Sequence, residues 1–246
     1  MRECLRMLKE VGFDGVELCL ENEDVRPEIL DGTLARQVGD AVRELGLAPF
    51  SVSYHQDYIY NDQQFELTRK VIPLVRAFGT DMLVFSGTTA RSGDHAAWKR
   101  MVARTRELVQ VAEEQGVTLA EEFEPNFVVG STEHLLRLFD EIPSPALAAN
   151  LDLGHVFLCD PDPVGAIHAL GSKIVHGHVE NMAAGVHRHL LPHEGDMDLR
   201  VYLRALEEVG FQGGLALDLY NVDYAAVAPA ALAYLHGLLS NKERGG

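Results

Sequence analysis

The chain has 246 residues, 47% of them hydrophobic and 24% charged, with a formal net charge of -16 at pH 7. That length supports a large buried core, while the negative balance argues against nucleic acid, whose phosphates demand clustered Lys and Arg. No apolar run approaches the roughly 20 residues of a membrane-spanning helix, which argues against a membrane partner.

In chain order, the amphipathic stretch "RECLRMLKEV" runs into Gly12, and the apolar run 15–20 follows. The arrangement repeats at Gly46 before 48–55, Gly79 before 81–87 and Gly116 before 117–123. The junction "FDEIPSPALAANLD" uses prolines ahead of 147–152, and Gly171 and Gly210 precede 174–180 and 214–220. Glycine suits the left-handed residue just past a helix, and proline cannot continue one. The runs are near-continuously apolar, as in parallel strands buried on both faces. Regular alternation of helix and strand predicts a parallel α/β sheet. No linker or break in composition divides it, so residues 1–246 are expected to form one domain.

Two architectures compete, a closed (β/α)8 barrel and an open doubly wound sheet. No G-x-G-x-x-G turn follows any strand. Polar residues do mark the strand ends: Glu17 and Glu21, His55, Ser86, Glu122, Asp152, His178 and Asp218. In (β/α)8 barrels those C-terminal ends build the active site. The expected fold is therefore a (β/α)8 TIM barrel that lacks its first strand, because the chain opens directly in a helix. A missing strand leaves an exposed edge beside residues 15–20.

"NLDLGH" ends an apolar strand on Asp152, and an unpaired buried carboxylate costs several kcal/mol. A salt bridge, a helix cap or a metal ion would compensate. Glu122, Asp152, His178 and Asp218 all lie near strand ends, and parallel neighbours sit about 4.8 Å apart. Three carboxylates and an imidazole converging on one point repel unless a cation joins them. Oxygen-rich ligands with one nitrogen suit Mn2+, Mg2+ or Co2+ better than a thiolate-preferring metal. The plain alternative is a set of solvated polar strand ends.

His155 follows Asp152 past Gly154, which permits a sharp turn, and is expected to meet substrate, support the metal or cap the next helix. In "HGHVENMAAGVHRHLLPHEGDMDL", His178 or Glu180 faces the mouth, and His176 belongs to the same inward face. His187 and His189 fall on a long loop that can fold over the site, with Gly185 and Gly195 as hinges. Alternation puts Glu122 and Glu124 on one face and Glu121 on the other. The aromatics of "SYHQDYIYND" form either an apolar wall against a ligand or loop packing. Cys4, Cys19 and Cys159 suggest no disulfide framework, and "MRECLRMLKEVG" has no signal-peptide core. A reducing cytoplasm is the expected compartment.

The motifs "LKEVGFDGVEL", "GVTLAEEFEP", "NLDLGH", "HVEN" and "GGLALDL" resemble the sugar isomerase/epimerase superfamily with its xylose isomerase-like TIM barrel, which includes the endonuclease IV branch. The resemblance implies that Glu122, Asp152, His178 and Asp218 bind one divalent metal. Manganese is favoured, with magnesium, cobalt and zinc as alternatives. It further implies that Glu122 and Asp218 exchange a proton through a metal-stabilised enediolate. His155, Glu180, His187 and His189 would orient substrate hydroxyls. The activity implied is isomerisation or epimerisation of a small sugar or polyhydroxy carbonyl compound. A dehydratase or lyase acting on a sugar or inositol derivative, and a non-catalytic metal- or partner-binding barrel, remain as alternatives, and a homo-oligomer is left open. The chain departs from the family pattern at Asp218, where Glu is usual, at Asn181, where Asp is frequent, and in the absent first strand.

Overall fold

The computed structural model describes residues 1–240; residues 241–246, which the single-domain expectation includes, lie outside the described residues. Seven parallel strands form one sheet in the order β1 (Gly15–Cys19), β2 (Ala48–His55), β3 (Met82–Ser86), β4 (Thr118–Glu121), β5 (Leu147–Asp152), β6 (Ile174–Val179) and β9 (Leu215–Leu217). Each pairs with its sequential neighbour, and only the β6–β9 step passes over other strands. Those are the antiparallel hairpin β7 (Asn181–Ala183) and β8 (Val186–Leu190). The stretch carrying His187 and His189, expected as a loop, is thus partly a hairpin.

The strands curl into the expected barrel, short of closure by one strand. β1 and β9 are the sheet's two edges. A cleft of about 590 Å³ separates them, lined by Leu8, Phe13, Phe50, Leu217 and Leu232 at its apolar end. β5 is buried at every position, which explains its unbroken apolar run.

Helices alternate with the strands: α1 (Arg2–Val11), α2 (Gly32–Glu44), α3 (Asp62–Val71), α4 (Val75–Phe78) and α5 (Ala97–Gln115). α6 (Thr132–Glu141), α7 (Leu153–Cys159), α8 (Pro163–Leu170), α9 (Leu199–Glu208) and α10 (Tyr224–Ser240) complete the layer. Their ends follow from local chemistry. Asp31 opens α2 by accepting the Thr33 and Leu34 amides, both at 2.8 Å. Gly116 closes α5 at φ 61°, where its N–H reaches Ala112 O, a conformation that disfavours a side chain. The other five junction glycines also have positive φ.

Among the described residues no helix is long and apolar enough to cross a membrane. The three cysteines are free.

Candidate functional site

Asp152 answers the question its sequence poses in two ways. It is the last residue of β5 and the cap of α7, where Oδ1 accepts the His155 N–H at 2.7 Å. The side chain is 1% exposed, yet Oδ2 has no hydrogen-bond partner. Gly154 lies in the first turn of α7, so the sharp turn expected there is helical. A Cβ at Gly154 would collide with the Glu180 carboxylate and Met182, and the Gly154 N–H donates to Glu180 Oε1 at 2.7 Å. Glycine serves close packing here.

β6 delivers His178 to the same point. Its Nδ1 lies 3.1 Å from Glu122 Oε2, 3.7 Å from Asp218 Oδ2 and 3.9 Å from Asp152 Oδ2. Glu122 and Asp218 each stand one residue past their strands, β4 and β9. A cation about 2.0–2.3 Å from each ligand atom would hold neighbouring ligands roughly 3 to 4 Å apart, so the spacing fits. Asp152 Oδ2 and Glu180 Oε2 both lack a hydrogen-bond partner. Burial and the neighbouring Asp152 carboxylate push the Glu180 carboxyl well above its usual range. Either a cation or a proton kept on Glu180 therefore meets the cost of the buried Asp152 oxygen.

Burial opposes the charged forms of His178, His155, Glu122 and Asp218, and mutual attraction overrides it for the first three. Burial pulls His178 down, but Glu122 and Glu17 hold it well above the usual imidazole range. Burial likewise opposes His155, which Asp152 and Glu122 push up to about 9. Glu122 is buried, yet His178 and His155 hold it well below the carboxylate range. For Asp218, burial prevails and pushes the carboxyl up.

Above the cluster opens a cavity of about 490 Å³, with His55, Glu124, His155, His187, His189 and Tyr220 in its walls. The β7–β8 hairpin places His187 and His189 on one face of β8. His155 and His187 approach through their Nε2 atoms at 2.9 Å. His155 Nδ1 donates to Phe123 O at 2.9 Å, and His189 Nδ1 to Asp218 O at 3.0 Å. Arg188 supplies the only Lys or Arg among the described lining residues.

Asn181 holds the segment behind the hairpin. Its Nδ2 donates to Pro192 O and Met197 O, and its Oδ1 accepts the Met182 and Met197 amides. An aspartate could not make the two donations. Gly185 turns the hairpin at φ 73°. Gly195, expected as a second hinge, packs against the Asn181 side chain, and a Cβ would strike it.

The structure therefore brings the ligand atoms of Glu122, Asp152 and His178 within 4.8 Å of one another, and those of Asp152, Glu180, His189 and Asp218 likewise, so that Asp152 is common to both sets. His155 and His187 line the cavity beside them. Glu180, expected to meet substrate, is fully buried and tied to the Gly154 amide, and its carboxylate lies within 4.8 Å of ligand atoms of Asp152, His189 and Asp218. The aromatic stretch resolves into loop packing, with Tyr58 and Ile59 fully buried. Sequence inspection counted Glu17 only among the polar strand ends, gave no role to Asn150, and left open which of Glu122 and Glu124 reaches further in. Glu124 lines the cavity and accepts from Ser86 Oγ at 3.1 Å. Asn150 donates to Glu122 Oε2 at 2.6 Å, and the signal for it was a lone polar residue inside an apolar strand.

The chain belongs to the xylose isomerase-like TIM barrel family, whose model matches residues 5–238. It is 24% identical over 269 residues to a fructoselysine 3-epimerase of Shigella flexneri, covering 99% of this chain and 95% of that protein. An L-ribulose-5-phosphate 3-epimerase of Escherichia coli (strain SE11) is 24% identical over 232 residues, 89% of this chain and 82% of that one. Among solved structures, an L-ribulose 3-epimerase superposes with a TM-score of 0.83 at 20% identity, covering 98% and 89% of the two chains.

Proposed function

We propose that this protein is a divalent-metal-dependent isomerase or epimerase of a small sugar or other polyhydroxy carbonyl compound, with manganese the favoured ion and the cytoplasm its place of work. One observation carries the proposal. Three carboxylates lie within 3.9 Å of His178 Nδ1, two of them lining a cavity, and one oxygen of the third, Asp152 Oδ2, has no hydrogen-bond partner. Similarity to sugar 3-epimerases supports the substrate class.

Glu122, Asp152, His178 and Asp218 would hold the ion. When bound, it would draw charge from a substrate carbonyl and the adjacent hydroxyl and so lower the cost of an enediolate. Glu122 and Asp218 approach the centre from different strands, and they exchange the α-proton as base and acid. Asn150 holds the Glu122 carboxylate in place. His155, His187 and His189 line the cavity and orient substrate hydroxyls. Glu180 supports Asp152 and α7 from behind.

The test is a screen of ketoses and their derivatives with metal-loaded protein in deuterated water. An isomeric product carrying deuterium at the carbon next to the carbonyl is the expected result. Loss of water or of a C–C bond would move the assignment to a dehydratase or lyase. Bound metal with neither turnover nor exchange would leave a binding barrel.

A further inference from the structure

We propose that Glu17, on β1, is a positioning residue that fixes His178 with Nδ1 turned to the three carboxylates. The inference rests on the metal site proposed above and assigns a part of it that lies outside the ligand set.

An imidazole offers one nitrogen to a cation, and the hydrogen bond at its other nitrogen decides which. At His178 the two sides are distinct. Nδ1 faces Glu122, Asp218 and Asp152, and Nε2 lies 3.2 Å from Glu17 Oε1. An Nε2–H that donates to Glu17 leaves the lone pair on Nδ1. Carboxylate, imidazole and ion then stand in series, an arrangement that also raises the basicity of the ligand.

Glu17 is itself held in place. Its Oε2 accepts the Ser51 hydroxyl at 2.7 Å, and Glu17 and Ser51 are register partners across β1 and β2. Ser51 Oγ lies 3.1 Å from His176 Nε2, and His176 Nδ1 donates to Asn150 Oδ1 at 2.8 Å. Asn150 and His176 are register partners across β5 and β6. Asn150 then donates to Glu122, which returns the chain of contacts to His178. Six side chains, five on strands β1, β2, β5 and β6 and Glu122 just past β4, thus close a ring inside the barrel. Among the described residues Glu17 is the hydrogen-bond partner of His178 Nε2, and it reaches it from a strand that does not pair with β6.

The experiment titrates Mn2+ into metal-free wild type, Glu17→Gln and Ser51→Ala by calorimetry. It then records ring 15N shifts of His178 in the Zn2+-loaded proteins. Glu17→Gln is expected to weaken Mn2+ about 10- to 100-fold and to lose the single Nδ1-bound signature. Ser51→Ala loosens Glu17 without touching His178 and should weaken binding several-fold. Should Glu17→Gln fail to fold, Ser51→Ala carries the test, and an unchanged Kd there overturns the role. Wild-type affinity and an unaltered His178 signature in Glu17→Gln overturn the role of Glu17 and leave the metal site standing. A wild type that binds no ion overturns both.

Discussion

Glu121 and Glu122 are adjacent in the chain, almost equally buried, and opposite in chemistry. Glu121 is 0% exposed on the outer side of β4, where, among the described residues, the Tyr58 hydroxyl is the one hydrogen-bond partner of its oxygens, at 3.4 Å to each. Burial dominates there and pushes its carboxyl well above the usual range. Glu122 is 4% exposed on the barrel side, with Asn150 at 2.6 Å, His178 at 3.1 Å and His155 at 3.3 Å. It is held ionised. Burial sets the cost of charge, and the number of nearby donors decides whether that cost is met. The barrel interior collects donors from several strands, and the outer face of β4 supplies one phenol.

The sharpest way to break this contrast is at Asp218, which shares the interior with Glu122. Asp218→Asn keeps the shape and removes the base or acid. Turnover of metal-saturated protein should fall about 10²- to 10⁴-fold. Full turnover and full deuterium exchange in that variant would remove Asp218 from the proton transfer.

Asn181 offers an intermediate effect. It is buried and fully satisfied, and Asn181→Ala strands two carbonyls and two amides. Chemical denaturation should show a loss of about 2–4 kcal/mol. A loss under about 0.5 kcal/mol would mean that water replaces all four contacts.

Glu121 itself gives the smallest effect and the most specific sign. Its folded pKa is raised, so its neutral form costs nothing below the unfolded value. Stability is lost as pH rises from there through the folded pKa. Glu121→Gln removes that loss. Its melting temperature should exceed the wild type's by a few degrees at pH 8, and the gap should close near pH 4.5. A gap independent of pH would show that Glu121 is ionised in the fold.

Much of this was legible in the sequence, and the reasons are local. Junction glycines and apolar runs placed all seven barrel strands, because helix ends and doubly buried strands have short-range signatures. The polar strand ends gave Glu122, Asp152, His178 and Asp218, because the C-terminal ends of parallel strands converge. The hairpin at 181–190 escaped notice, since its pairing depends on Asn181 holding the following loop. Alternation could not settle where Glu180 points, because β6 ends at Val179 and the chain turns into the hairpin there; its carboxylate lies within 4.8 Å of ligand atoms of Asp152, His189 and Asp218. The role of Glu17 was hidden because its partner His178 lies 161 residues away on a strand with which β1 does not pair.

The most direct measurement is elemental analysis of the purified protein beside Glu122→Gln and Asp152→Asn. The expected result is about one divalent ion per chain in the wild type, manganese foremost, and loss of that ion in both variants with the fold intact by circular dichroism. A wild type that neither carries nor takes up a divalent ion, or variants that retain it in full, would contradict the proposed centre and the isomerase chemistry built on it.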